Sequence, residues 1–289
     1  MTAALDPRRH AYRPDLADER LRGRVEAERF VAARLKRLMV PSIDLHARPR
    51  ATEPAATEVL FGEDVLVFEE NKDWAFVQLR RDGYVGYLAR EALGPADEAL
   101  THQVATLWGY GFKEPDIKSG LRMVLPLGAR VAGAPEGDFL KLSSGLFMPR
   151  QHVGPLGSAG ADFVAAAERF TGTPYRWGGK TALGLDCSGL LQVSLQAAGF
   201  EAPRDSDMLQ AEIGEKLEQA DWGAMRRGDT VFWKGHCGVM ADGARLLHAN
   251  AHHMAVVSEP LAEVVARAEA KGQRLAMVKR SYALAATQV

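Results

Sequence analysis

The sequence predicts an α+β protein in which two small β-barrels precede a unit of helices packed on an antiparallel sheet. Three observations carry this. Residues 38 to 153 hold short apolar stretches broken by turn residues. "VGPLGSAG", residues 153 to 160, is a Gly/Ser/Pro linker. Beyond it the apolar spacing becomes helical, then returns to that of short strands.

The totals narrow the field. At 289 residues the chain exceeds one ordinary core, which implies two or three domains. An apolar share of 47% and a charged share of 25% fit a globular protein. A net charge of −1 argues against nucleic-acid and membrane-surface partners. No apolar run has the length of a membrane span. The opening "MTAALDPRRHAYRPDLADERLRGRVEAERF" has no apolar signal core, so the expectation is a cytoplasmic protein. Two cysteines do not make a disulfide framework, although a Cys187–Cys237 bridge stays open as an alternative.

Residues 1–37 form an Arg-, Ala- and Glu-rich N-terminal segment. Leu21, Val25 and Phe30 suggest part of a helix there. Residues 38–97 read as the first barrel, with apolar stretches around Val65–Val67 and Trp74–Leu79 and turns at Asn71-Lys72-Asp73 and Asp82-Gly83. Residues 98–153 repeat the texture as a second barrel. "FGEDVLV" (61–67) and "PLGARVAG" (126–133) are candidate equivalents of a diverged duplication. In residues 154–289, "DFVAAAERF" and "DCSGLLQVSLQAAGF" read as helices. "GDTVFW", "HCGVM" and "RLLHAN" read as consecutive strands, "PLAEVVARAEAKG" as a late helix and "LAMVKRSY" as a closing strand.

The chemistry centres on Cys187. With Asp186 as N-cap, Cys187 is the first helical residue, where unpaired N–H groups and the helix dipole favour thiolate. A buried small residue is the commoner meaning of such a cysteine, so the functional reading needs a base. A three-residue loop Ala241-Asp242-Gly243, with glycine left-handed, pairs Met240 with Ala244. It sets His236 across from His248 on one sheet face, as base and orienter. A one-residue change of loop reverses the face of His248. Cys237 points away from His236 and reads as a core residue. With no C-x-x-C pair, neither zinc nor another cofactor is implied. His252 and His253 read as loop residues.

"TPYRWGG" (173–179), "LDCSGLLQ" (185–192), "PRDSDMLQ" (203–210), "GDTVFW" (228–233), "GHCGVM" (235–240) and "LLHA" (246–249) together resemble the NlpC/p60 cell-wall cysteine peptidases. The resemblance implies a papain-like fold preceded by SH3-like barrels. It implies Cys187 as nucleophile, His236 as base and His248 as third residue, with Tyr175 and the Cys187 N–H at the oxyanion hole. One subgroup with N-terminal SH3-like domains acts on murein peptides with a free L-alanine and releases L-Ala-γ-D-Glu. By that likeness Asp205, beside Ser206, binds the ammonium, and Glu63 and Tyr84 close the same pocket. Trp177, Asp186 and Ser188 fall near the γ-glutamyl group. The plainer readings are a turn or cap aspartate, a surface glutamate and structural aromatics. The expectation is a γ-D-glutamyl-L-diamino acid endopeptidase of peptidoglycan recycling. The rivals are an acyltransferase or amidase with the same site and a non-enzymatic peptidoglycan-binding module. A cysteine after the histidine in "GHCGVM" departs from the family's usual small aliphatic residue.

Overall fold

A computed structural model describes residues 5–157 and 162–280. Three residues of the expected linker, 158–160, and the last two of the expected closing strand, 281–282, lie outside the described residues. The chain forms two compact units that divide between Leu156 and Gly157.

Among the described residues of the N-terminal segment there is no α-helix. The segment forms short strands Tyr12–Arg13, Leu16–Asp18 and Arg29–Val31, with a 3-10 turn at Glu19–Leu21. Gly23 lies between Leu21 and Val25 with φ 78, a left-handed conformation that ends any helix there. Ala11 and Leu16 instead pack with Phe68 and Phe76 of the first barrel. The Arg13 guanidinium lies 4.9 Å from the Phe76 ring centroid and donates to the Tyr87 hydroxyl at 3.0 Å. The segment therefore covers an aromatic barrel face that would otherwise be open.

The first barrel is a seven-stranded antiparallel sheet that begins at Arg34–Leu38 and ends at Leu93–Gly94, which pairs back onto that opening strand. Its apolar alternation is clear in Val65, Val67, Ala75, Val77 and Leu79, all buried. The second barrel has a three-stranded and a five-stranded sheet around Val104, Leu125, Val131, Leu140 and Met148.

The two barrels share a backbone plan, and around one turn the equivalent residues keep a single offset. In the first, Leu38 N–H donates to Glu63 O at 3.0 Å, and Gly62 N–H donates to Leu38 O at 3.0 Å. In the second, Val104 N–H donates to Ala129 O at 2.8 Å, and Gly128 N–H donates to Val104 O at 3.0 Å. Phe61 N–H to Pro41 O recurs as Leu127 N–H to Leu107 O. Each barrel then passes through a 3-10 turn, Arg90–Ala92 or Arg150–His152, into a strand that pairs with its first one. The equivalence of "FGEDVLV" and "PLGARVAG" is thus a repeated turn around Gly62 and Gly128.

The second unit contains α1 (Phe163–Glu168), α2 (Cys187–Ala197), α3 (Ser206–Glu212) and α4 (Leu261–Glu269). Its main strands are β1 (Asp229–Trp233), β2 (His236–Met240), β3 (Arg245–Asn250), β4 (Ala255–Pro260) and β5 (Met277–Arg280). The sheet order is Glu215–Lys216, β5, β1, β2, β3, β4, antiparallel throughout. α2 packs on α1, β2 and β3 and is buried from Cys187 to Gln196. α4 adds Val264 to a core of Val231, Trp233, Met240, Leu246 and Val278. Among the described residues no helix is long and apolar enough to cross a membrane.

Gly62 has φ 79, and a Cβ there would lie 2.1 Å from the carbonyl oxygen of Arg130, whose N–H donates to Phe61 O. Gly62→Ala is therefore expected to destabilise the N-terminal unit by about 1–3 kcal/mol, or more if Arg130 cannot shift. The check is the denaturant midpoint at unchanged m-value. A midpoint equal to that of the parent would refute this turn.

Candidate active site

Asp186 caps α2 as the sequence predicts. Its Oδ1 accepts the Gly189 N–H at 2.7 Å, and Cys187 opens the helix. The same carboxylate accepts the Gly178 N–H at 2.9 Å, which anchors the "WGG" loop. It also takes both arms of Arg204, at 3.0 and 2.7 Å. Arg204 further donates to Ser188 Oγ at 2.8 Å and is only 1% exposed. Asp186 and Ser188, expected near the γ-glutamyl group, are buried members of this network. In the run Arg204-Asp205-Ser206 the sequence points to Asp205 for the ammonium, while the residue that holds this network together is the arginine before it. A buried arginine has no signature of its own; the only clue was a carboxylate at a helix start needing a counter-charge.

His236 and His248 come together, through a different register from the one expected. Met240 pairs with Leu246 and Val239 with Leu247, so the strands are joined by the four residues Ala241–Ala244 rather than by three. Gly243 is not left-handed; Asp242 builds the turn by accepting the N–H groups of Ala244 and Arg245 at 2.7 and 2.8 Å. The slip is two residues, and an even slip keeps every side chain on its face. His236 Nε2 and His248 Nδ1 stand 2.8 Å apart. Gly238 makes room for this, since a Cβ there would lie 2.9 Å from His248 Cβ.

Behind His248 is a set built on strand β4, an element absent from the sequence prediction. His248 Nε2 is 2.8 Å from Glu259 Oε1 and 3.0 Å from Asn250 Nδ2. Arg267 of α4 donates to both Glu259 oxygens, at 2.5 and 3.0 Å. His253 is 3.4 Å from Glu259 Oε2, so it is more than a loop residue. In "AVVSEP" the strand signal is the β-branched pair Val256-Val257 alone, with no alternation to support it.

The electrostatics fit a nucleophile. A hydrogen bond from the Cys237 thiol, joined by one with His236, holds the Cys187 thiol well below its ordinary value despite burial. Burial, and then the Cys187 charge, push Cys237 well above the ordinary value, so it remains a protonated donor. Cys237 is a core residue, as expected, but it touches the nucleophile; both cysteines are free, so the bridge is absent. Burial and the neighbouring His236 depress His248 to about 4, against the pull of Glu259. Burial would raise Glu259, but Arg267, His248 and His253 outweigh it and bring it to about 2. The His248–Glu259 contact therefore joins a neutral ring to a carboxylate. Burial, followed by the Cys187 charge, lifts the Tyr175 phenol above the ordinary tyrosine range, which keeps it a donor beside the sulfur.

Asp205 and Ser206 open α3 and are half-buried; Asp205 makes no capping hydrogen bond there. Trp177 is 65% exposed. Glu63 and Tyr84 lie at one end of the first barrel's sheet, where Leu79 N–H donates to Tyr84 O and Arg80 N–H to Asp64 O. Both are buried rather than surface groups, and Glu63 Oε2 accepts the Leu60 N–H at 3.0 Å. Among the described residues no group of three or more His, Cys, Asp or Glu is placed to hold a metal ion.

A thiol at a helix start, an imidazole against it and a second imidazole behind it are the working parts of a cysteine peptidase. Residues 172–272 match the NlpC/P60 family model, and residues 45–93 match the bacterial dipeptidyl-peptidase Sh3 domain. The chain is 30% identical to the gamma-D-glutamyl-L-lysine dipeptidyl-peptidase of Bacillus subtilis over 67% of its length and 71% of that protein. It is 26% identical to dipeptidyl-peptidase 6 of Lysinibacillus sphaericus over 72% of its length and 84% of that protein. A crystal structure of an NlpC/P60 family protein from Bacillus cereus shares the fold, with TM-score 0.73 at 18% identity, over 86% of this chain and 99% of that one. This chain belongs to the NlpC/P60 family, with an SH3-like N-terminal region and a papain-like α+β peptidase unit.

Arg204→Met leaves Asp186 buried and uncompensated. We expect a loss of about 3–5 kcal/mol and a higher pH midpoint for alkylation of Cys187 by iodoacetamide. Stability within error of the parent and an unmoved midpoint would remove Arg204 from the account. The His248 shift also fixes a pH dependence. Its folded value, about 4, lies below the unfolded one, so its contribution is complete above about pH 6.5. It is lost as pH falls towards 4. The urea midpoint of the parent should drop across that window, and His248→Asn should flatten the drop; parallel curves would contradict the neutral ring.

Proposed function

We propose that this peptidase hydrolyses the γ-D-Glu–diamino acid bond of free murein peptides with an unblocked L-alanine, releasing L-Ala-γ-D-Glu during peptidoglycan recycling. The observation that carries this reading is Arg204, which ties the Arg204-Asp205-Ser206 run to the nucleophile's own turn through Asp186 and Ser188. Asp205 thereby supplies a half-buried carboxylate next to the reacting centre. An ammonium leaving water needs such a partner. The name of the Bacillus subtilis relative, a gamma-D-glutamyl-L-lysine dipeptidyl-peptidase, supports the same substrate class, and that of the Lysinibacillus sphaericus relative supports release of a dipeptide. A free amine is present on released peptides and absent from a glycan-linked stem, which favours turnover products as substrates.

In this mechanism the Cys187 thiolate attacks the γ-carbonyl carbon. The oxyanion takes hydrogen bonds from the Cys187 N–H and the Tyr175 hydroxyl. His236, protonated by the thiol, returns that proton to the departing amine of the diamino acid. Water activated by His236 then hydrolyses the thioester and frees the dipeptide.

The test compares L-Ala-γ-D-Glu-diaminopimelate with its N-acetylated form. The free peptide should be cleaved with at least about 100-fold higher kcat/KM, consistent with loss of a buried charged contact. Asp205→Asn should erase most of that preference, and Cys187→Ala should abolish cleavage of both. Equal rates on free and blocked peptides would end the ammonium reading; cleavage by the Cys187→Ala variant would end the mechanism.

A further inference from the structure

We infer that Glu259 sets the tautomer of both histidines and so aims the basic nitrogen of His236 at Cys187, with Asn250 as the competing donor. The inference rests on Cys187, His236 and His248 as the catalytic set, and not on which peptide is cleaved.

The argument is one of counting protons. Each neutral imidazole has one N–H and one lone pair. His248 Nε2 faces two groups of opposite character: the Glu259 carboxylate at 2.8 Å, which only accepts, and the Asn250 amide nitrogen at 3.0 Å, which only donates. Asn250 cannot simply turn its oxygen inward, because Oδ1 already accepts the His253 N–H at 2.8 Å. One nitrogen cannot satisfy both neighbours, so the stronger decides. Glu259 is the stronger, because Arg267 bonds both its oxygens and keeps it ionised. His248 therefore carries its proton on Nε2 and offers a lone pair at Nδ1. That lone pair, 2.8 Å from His236 Nε2, requires His236 to be protonated at Nε2. The remaining nitrogen of His236, Nδ1, is then the free base for the thiol.

If the choice at Glu259 is reversed, the chain runs backwards. His248 with its proton on Nδ1 would confront the His236 Nε2–H, which must move to Nδ1, and no base would face the sulfur. Glu259 touches neither sulfur nor substrate, so it is a positioning residue. The charged and titratable groups bearing on this chain come from every neighbouring element: Cys187 and Asp186 at the start of α2, Arg204 before α3, Cys237 on β2, His253 in the turn after β3 and Arg267 on α4.

Glu259→Gln tests this with nearly unchanged shape. Glutamine has one acceptor oxygen; the Arg267 fork claims it, and the amide N–H₂ turns to His248 Nε2. The expected result is a fall in kcat of about 10²–10⁴-fold, the scale of a wrong-tautomer lesion in a comparable relay. KM should stay within about twofold. Alkylation of Cys187 by iodoacetamide should slow at pH 7 and acquire the pH dependence of an unassisted thiol, and Glu259→Asp should restore part of both. Alkylation needs no peptide, so this readout stands even if the substrate assignment fails. Nitrogen-15 NMR of the histidine-labelled parent gives a measurement that no folding defect can spoil. Both rings should be protonated at Nε2. A proton on Nδ1 of His248, or an unaltered alkylation profile in Glu259→Gln, overturns the proposal even if kcat falls.

Discussion

Asp186 places a carboxylate one residue from the nucleophile, and the rest of the site is arranged around that charge. Its benefits are local and large: it caps α2, anchors the Gly178 turn and holds Ser188. Its drawback is that a negative charge beside Cys187 opposes formation of a thiolate. Arg204 resolves the conflict by taking both carboxylate oxygens in a pocket closed to water. A buried ion pair of this kind adds little net stability compared with a well-packed apolar pair. What it adds here is permission for an acidic cap next to a nucleophile. A lysine could not do the same, because one ammonium cannot grip two oxygens and a hydroxyl in one plane.

The two cysteines show how position alone divides one side-chain type into two roles. Cys187 stands at a helix start with His236 in reach. Cys237 lies one residue beyond that histidine, on the face turned towards α2, and has no exposure. Burial keeps Cys237 protonated, and its proton then serves the neighbouring sulfur. The pair separates donor from nucleophile by environment, as pairs of like groups do in other enzymes. An aliphatic residue at 237 would pack as well but would donate nothing.

Much of this site was legible because its parts are local in sequence. The N-cap at Asp186, the helix beginning at Cys187 and the strands flanking His236 each follow from a few adjacent residues. His248 was placed on the correct face through an incorrect loop, since a two-residue error is invisible to a period of two. What escaped was set by distant pairings. Arg204 meets Asp186 across 18 residues, and Glu259 meets His248 through a strand that no alternation marks in the sequence. The spacing of Leu21 and Val25 suggests a helix, but the left-handed Gly23 between them breaks it. The expected catalytic residues converge, and Asp186 and Ser188, expected near the γ-glutamyl group, are buried in the Arg204 network.

The repeated barrel turn bears on Glu63 in a way the first barrel alone cannot. At the equivalent place in the second barrel the turn closes with the same backbone hydrogen bonds but with Ala129 in place of Glu63, so the backbone does not require a carboxylate. The partner of that carboxylate changes in step. Leu60, whose N–H donates to Glu63, is replaced at the same offset by Pro126, which has no N–H to satisfy. The first barrel therefore carries a donor and an acceptor where the second carries neither. A Leu60–Glu63 pair is one way to satisfy a buried N–H, and proline is a simpler one. Keeping the glutamate places a carboxyl group at the end of the barrel where Tyr84 also lies, held there by the Leu60 N–H.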